Sequence, residues 1–170
     1  MGSAYQIRDQ YSPYFLTFQV VGWIDIFSRK IYRDIIIESF KYCRANKRLK
    51  VVAYVIMTNH IHVIFQSKIG ALSETVRDMK RYTSNQILKQ VEQNFESRRD
   101  WMNLIFEYHA RHNKRVNTKQ FWSHENHAVE LYDNLIFDSK MEYIHYNPVR
   151  AGWVEKPEDY MYSSARNYSI

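Results

Sequence analysis

Polar and apolar positions alternate with two different periods along this chain. Tyr14–Trp23, "YFLTFQVVGW", is β-branched and aromatic and predicts a central strand. In the stretch that follows, Ile31, Ile35, Phe40 and Cys43 recur at helical spacing and predict a helix to about Ala45. "LKVVAYVIM" reads as a second strand, "TNH" as a tight turn and "HIHVIFQS" as a third strand returning beside the second. A long helix is expected from Leu72 to Phe95, with Ser73 as its N-cap. Glu96–Lys119 is polar and basic and reads as mixed helix and loop. "KQFWSHENHAVEL" supplies a fourth strand, and "YDNLIFDSKMEYIHYN" a last helix ended by Pro148. The order β-α-β-β-α-β-α predicts an α+β, ferredoxin-like (split βαβ) antiparallel sheet, with helices on one face and an additional C-terminal helix.

Length and punctuation agree with one domain over residues 1–170. Four glycines and three prolines leave no room for a linker. No run approaches the roughly 18 apolar residues that span a bilayer, and the N-terminus lacks the apolar stretch of a signal peptide. One cysteine, Cys43, excludes an internal disulfide framework and a cysteine-based zinc cage. The expectation is a soluble intracellular protein without a membrane partner.

Charge narrows the partners. The net charge is +6, and it is concentrated: Arg29–Lys50 holds eight basic residues against two acidic, and Arg77–Lys119 ten against five. Ser123–Glu142 is acidic, with only Lys140 opposing five carboxylates. Basic blocks among 14 tyrosines suit phosphate contact and base stacking.

Two patterns carry chemistry. In a strand His60, His62 and Ile64 share one side, while Ile61, Val63 and Phe65 point to the core. The paired imidazoles are either half-exposed side chains with local hydrogen bonds or two ligands of one metal ion, which would need a third ligand from elsewhere. In "MEYIHYNPVRAG", Tyr143 and Asn147 are i, i+4 on a helix and lie on one face. They are either a core tyrosine and a helix-end residue, or a phenol beside an amide oxygen able to bind metal. Tyr146 points about 100° away from Asn147.

These residues resemble a known family. "NHIHVIF" is similar to the histidine–hydrophobe–histidine motif of the HUH single-tyrosine transposases. "EYIHYNPVRAGWVEKPEDYMYSS" resembles the C-terminal signature of the REP-associated tyrosine transposases, and "FWSHENHAVEL" the strand before their tyrosine helix. The stretch Gln90–Lys119 is longer than in the shortest relatives.

The resemblance implies an enzyme that cuts and rejoins single-stranded DNA next to short hairpins through a 5′-phosphotyrosine intermediate. On it Tyr143 matches the nucleophile, and His60, His62 and Asn147 match the ligands of a divalent cation, Mg²⁺ or Mn²⁺. It implies a hairpin (REP-like) DNA partner, a cytoplasmic, nucleoid-associated setting in a prokaryotic cell, and either a monomer or a homodimer. Arg77, Lys80, Arg81, Lys114, Arg115 and Arg150 are the expected nucleic-acid contacts, drawn from the basic blocks and the tyrosine helix. Two other readings remain open: a non-catalytic hairpin DNA- or RNA-binding module, and a replication-type nickase with the same histidine pair.

Overall fold

The second and third strands are nearly continuous apolar runs rather than clean alternations, and a strand of that kind is buried on both faces. The computed structural model, which describes residues 6–93, 95–114 and 118–169, shows why. Four strands, β1 (Tyr14–Gln19), β2 (Leu49–Ile56), β3 (His60–Ser67) and β4 (Val129–Glu130), form one antiparallel sheet in the order β2-β3-β1-β4. This is the expected ferredoxin-like order. On one face Leu16, Phe18, Ile61, Val63 and Phe65 pack under α1 (Lys30–Asn46) and α2 (Leu72–Val91), which supply Ile36, Phe40, Val76 and Ile87. On the other face Phe15, Ala53, Val55 and Ile64 meet Ile144 of the last helix, α4 (Asn134–Arg150).

Several element boundaries differ from expectation. The basic Glu96–Lys119 stretch, by contrast, is the expected mixture, a third helix, α3 (Arg99–Arg111), with turn and loop among the described residues on either side, and α3 packs against the turn Val21–Trp23. β1 ends at Gln19 because that turn follows it: Gly22 and Trp23 both have positive φ, 62° and 56°. A Cβ on Gly22 would lie 2.5 Å from Cγ2 of Ile105, so α3 packs directly on the bare backbone there. α2 stops at Val91, short of Phe95. Ser73 is not its N-cap. Gln10 performs the capping instead, its Oε1 accepting from the Ser73 amide at 2.8 Å.

Pro148 does not end α4, which runs on to Arg150. Proline lacks an N–H and disfavours the helix behind it, but only two residues follow it here. The terminator is Gly152, at φ 77°. Its N–H donates to the Val149 carbonyl (2.9 Å), while that of Trp153 reaches back to Pro148 (3.0 Å), the paired bonds of a Schellman motif. At the start of α4 the Asp133 side chain caps the helix, accepting from the Ile136 amide.

The fourth strand is the largest departure. Only Val129 and Glu130 keep regular pairing, yet the chain follows the β1 edge from Phe121 to Leu131. Val21 donates to Phe121, Ser123 to Gln19, Thr17 to Asn126 and Leu131 to Pro13. Between these contacts His124, Glu125 and His127 bulge away, with His127 at φ 45°. On the far side of the sheet the segment after α4 lies along β2: Ile56 donates to Tyr162 and Ser164 to Tyr54, both at 2.9 Å.

Candidate nucleic-acid and metal site

The sheet register fixes the histidine pair. β1 and β3 place Thr17 opposite His62 and Gln19 opposite His60, all on the α4 face and beyond its apolar cluster. The imidazoles stand with ring centroids 4.7 Å apart. Each has its Nδ1 engaged: His60 with Oδ1 of Asn59 at 2.7 Å, His62 with Oγ1 of Thr17 at 2.9 Å. An amide oxygen only accepts, so His60 donates from Nδ1 and carries its free lone pair on Nε2. Burial lowers the pKa of both. For His62 burial, then the neighbouring His60, Lys140 and Arg150, bring it down to about 3. Both imidazoles are therefore neutral at pH 7, the state a metal requires.

α4 delivers Tyr143 to this pair. Its ring centroid lies 5.2 Å from that of His62 and 5.9 Å from Phe15, edge-on to both. The Arg150 guanidinium covers the ring at 4.7 Å and donates to the Tyr143 carbonyl. The Lys140 ammonium lies 5.7 Å from the same ring and 4.7 Å from that of Phe15. Lys140 was not among the expected contacts; its i, i+3 spacing from Tyr143 was the available signal. Asn147, one turn on, is half-buried, and its carboxamide makes no hydrogen bond among the described residues. Tyr146 is exposed and Tyr132 more so.

His60, His62 and Tyr143 open onto a cavity of about 750 Å³. Its other walls are the Val21–Trp23 turn, His109 of α3, and His124, Glu125 and His127 of the bulge. Asn147 does not line it. Sequence reasoning missed the bulge because a single extra loop inside a strand leaves no periodic signature. No three His, Cys, Asp or Glu side chains among the described residues are grouped to hold a metal, so any ion here would need an amide, water or phosphate oxygen beside the two imidazoles.

The expected nucleic-acid contacts divide. Arg77 and Arg81 are exposed on α2, both within 3.1 Å of Asp78, and Arg77 lines a neighbouring cavity of about 710 Å³. Lys114 is exposed just beyond α3; Arg115 lies outside the described residues. Lys80 faces inward. Its ammonium donates to the Ser123 carbonyl (2.9 Å) and Asn126 Oδ1 (2.7 Å), and burial pulls its pKa down to about 8. It anchors the bulge, because a buried ammonium needs acceptors and the displaced β4 loop supplies them.

Comparison with known proteins agrees with this arrangement. The family described as "Transposase IS200 like" matches residues 23–106, a span that includes His60 and His62. Over these residues the chain is similar to the IS200-like transposases. A solved structure described as a REP-associated tyrosine transposase bound to a REP hairpin has the same fold, with a TM-score of 0.62. It is 17% identical, and the alignment covers 98% of this chain and 84% of that one. No sequence among the curated proteins matches. Among the described residues no helix is long and apolar enough to cross a membrane.

Proposed function

We propose that this protein is a transposase of the REP-associated kind, nicking and rejoining single-stranded DNA beside short hairpins through a 5′-phosphotyrosine on Tyr143. One observation carries the reading. Of Tyr82, Tyr132, Tyr143 and Tyr146, Tyr143 alone lines the histidine cavity, its ring 5.2 Å from His62. In the reaction Oη of Tyr143 attacks phosphorus; the P–Oη bond forms as the P–O3′ bond breaks. The 3′ oxygen takes up a proton and leaves as a hydroxyl, while the phenolic proton passes to solvent. The bond energy is kept for rejoining, in which the same steps run backwards. Lys140 and Arg150 flank the Tyr143 ring and place positive charge where phenolate and phosphate must meet.

The residues fit a divalent cation, Mg²⁺ or Mn²⁺. His60 and His62 are neutral with Nδ1 engaged, which leaves Nε2 for a ligand bond; Asn147, outside the cavity lining, would have to turn its uncommitted amide oxygen inward to join them. When bound there, the ion supplies Lewis-acid polarisation of the phosphate. Exposed Arg77, Arg81 and Lys114 serve the DNA backbone, and the hairpin in the solved structure of like fold supports hairpin DNA as the substrate. Histidine pair and tyrosine come from one chain, so a single copy carries a whole site.

The test is covalent capture. Wild type, Tyr143→Phe and Tyr146→Phe are incubated with Mn²⁺ and a labelled single-stranded hairpin, then run on a denaturing gel. Wild type and Tyr146→Phe should form the adduct and Tyr143→Phe none. An adduct from Tyr143→Phe at the wild-type level would assign the wrong nucleophile, and none from wild type would favour a non-catalytic hairpin-binding module.

A further inference from the structure

We infer that Trp23 is a stacking platform for a DNA base at the mouth of this site, an inference that rests on the nucleic-acid reading above. Three independent observations meet at this residue. It lines the cavity of His60, His62 and Tyr143. It is 70% exposed, and its ring contacts no other ring among the described residues. Its backbone holds φ 56°, a region that L side chains disfavour and where Asn or Gly is the ordinary occupant. An indole kept in water, on a backbone that resists it, contributes nothing to the core.

The surroundings hold it there. The turn is closed by the Ile24 amide on the Val21 carbonyl at 3.5 Å. Val20 donates to the Asn59 carbonyl, immediately before His60, and Val21 to Phe121. Gly22 is pressed against Ile105 of α3. The turn is thus pinned to the histidine hairpin, to the β4 edge and to α3, and strain that persists in such a frame is characteristic of ligand contacts.

A phosphodiester bound at the histidines carries a nucleoside on either side. The cationic groups nearby can hold its backbone, but the Lys140 ammonium has no flat face and the Arg150 guanidinium already lies over the Tyr143 ring. An exposed indole does, without regard to base identity, because every base has a π face. A rigidly mounted ring also loses little freedom on stacking.

The experiment separates base from backbone. Full-length wild type, Trp23→Ala and Trp23→Phe are titrated by fluorescence anisotropy, in EDTA, with a labelled dT oligonucleotide of about sixteen nucleotides. The comparison ligand is an abasic deoxyribose-phosphate chain of the same length. Wild type should prefer the dT chain. Trp23→Ala should weaken dT binding by about 5- to 150-fold, the range of one lost stack, and leave abasic binding unchanged. Trp23→Phe, which keeps a ring and controls for folding, should retain most of the preference. Equal loss on both chains, no loss, or no preference in wild type would each overturn the platform. Adduct formation is scored separately: a Trp23-dependent preference without any adduct sinks the transesterification reading alone, and an adduct without the preference sinks the platform alone.

Discussion

Oγ1 of Thr17 lies 2.9 Å from Nδ1 of His62, across the β1–β3 pair that sets both residues opposite one another. The contact holds the ring and leaves Nε2 for a ligand, as partners behind a metal-binding histidine usually do.

Thr17→Val keeps the shape of the side chain and removes the oxygen. Mn²⁺ affinity should fall roughly 10-fold, and stability by roughly 1–2 kcal/mol, because a buried ring nitrogen loses its partner. Manganese titration by electron paramagnetic resonance and urea unfolding read the two effects. Unchanged Mn²⁺ binding would show that Thr17 does not orient a ligand.

Lys80 and Arg81, neighbours in sequence, should behave oppositely. Arg81→Ala, and likewise Arg77→Ala, should reduce the salt slope of hairpin-DNA binding by about 0.7 if each neutralises one phosphate. Lys80→Met should leave the slope alone, since its ammonium is spent on Ser123 and Asn126. It should instead speed hydrogen exchange at the Thr17 amide, which donates to Asn126. A slope reduced by Lys80→Met would place this lysine on DNA after all.

The contrast also shows what was legible beforehand. The β2–β3 hairpin, α1 and the histidine face were readable because their apolar periods are regular and their turns short. Ile64, on the histidine face yet buried, is the residue that betrays a second core under α4. α3 was obscured by its charge: among many basic and acidic side chains, Met102, Phe106 and Ala110 are its only fully buried positions. The end of α4 was misplaced because the proline rule outweighed Gly152, whose positive φ decides it. Of the site, His60, His62 and Tyr143 were readable as motifs. The bulge, the inward turn of Lys80 and the exposure of Trp23 depend on contacts between distant segments, which periodicity does not report.

Glu96 governs acid stability. Its buried carboxylate accepts from the Tyr32 hydroxyl at 2.5 Å and pairs with Arg98 (3.1 Å) and Arg29 (3.3 Å). Burial alone would raise its pKa, but the Arg98 and Tyr32 hydrogen bonds outweigh it and hold the group below the usual glutamate value of 4.5. The unfolded chain then binds the proton first. The stabilisation is complete above pH 4.5 and is lost as pH falls through the lower, folded value. Glu96→Gln should cost about 3 kcal/mol at pH 7, and the gap from wild type should narrow below pH 4.5. Urea melts from pH 7 to pH 3 measure it; a gap independent of pH would refute the ionic account.

Trp23→Gly should stabilise the fold. Glycine adopts φ 56° without the penalty of a Cβ, a gain of roughly 1 kcal/mol after its greater freedom when unfolded is counted. For a chain of this size that is about 2–4 °C in Tm, readable by calorimetry. A fall in Tm would mean that the indole is held by packing rather than merely tolerated.

The strip Tyr162–Ser164 along β2 sets an order of assembly. During synthesis, β2 and the histidine hairpin emerge well before α4 and this strip. At about 5–20 residues per second, the delay is roughly 5–20 s. Through that interval β2 has an open edge, the kind that recruits stray strands, and the histidines face solvent where α4 will later lie. The last segment to arrive closes the edge by backbone pairing and seats α4 through the bond of His145 to Ser164, so the half-made chain presents its histidine pair before Tyr143 and Asn147 exist to meet it.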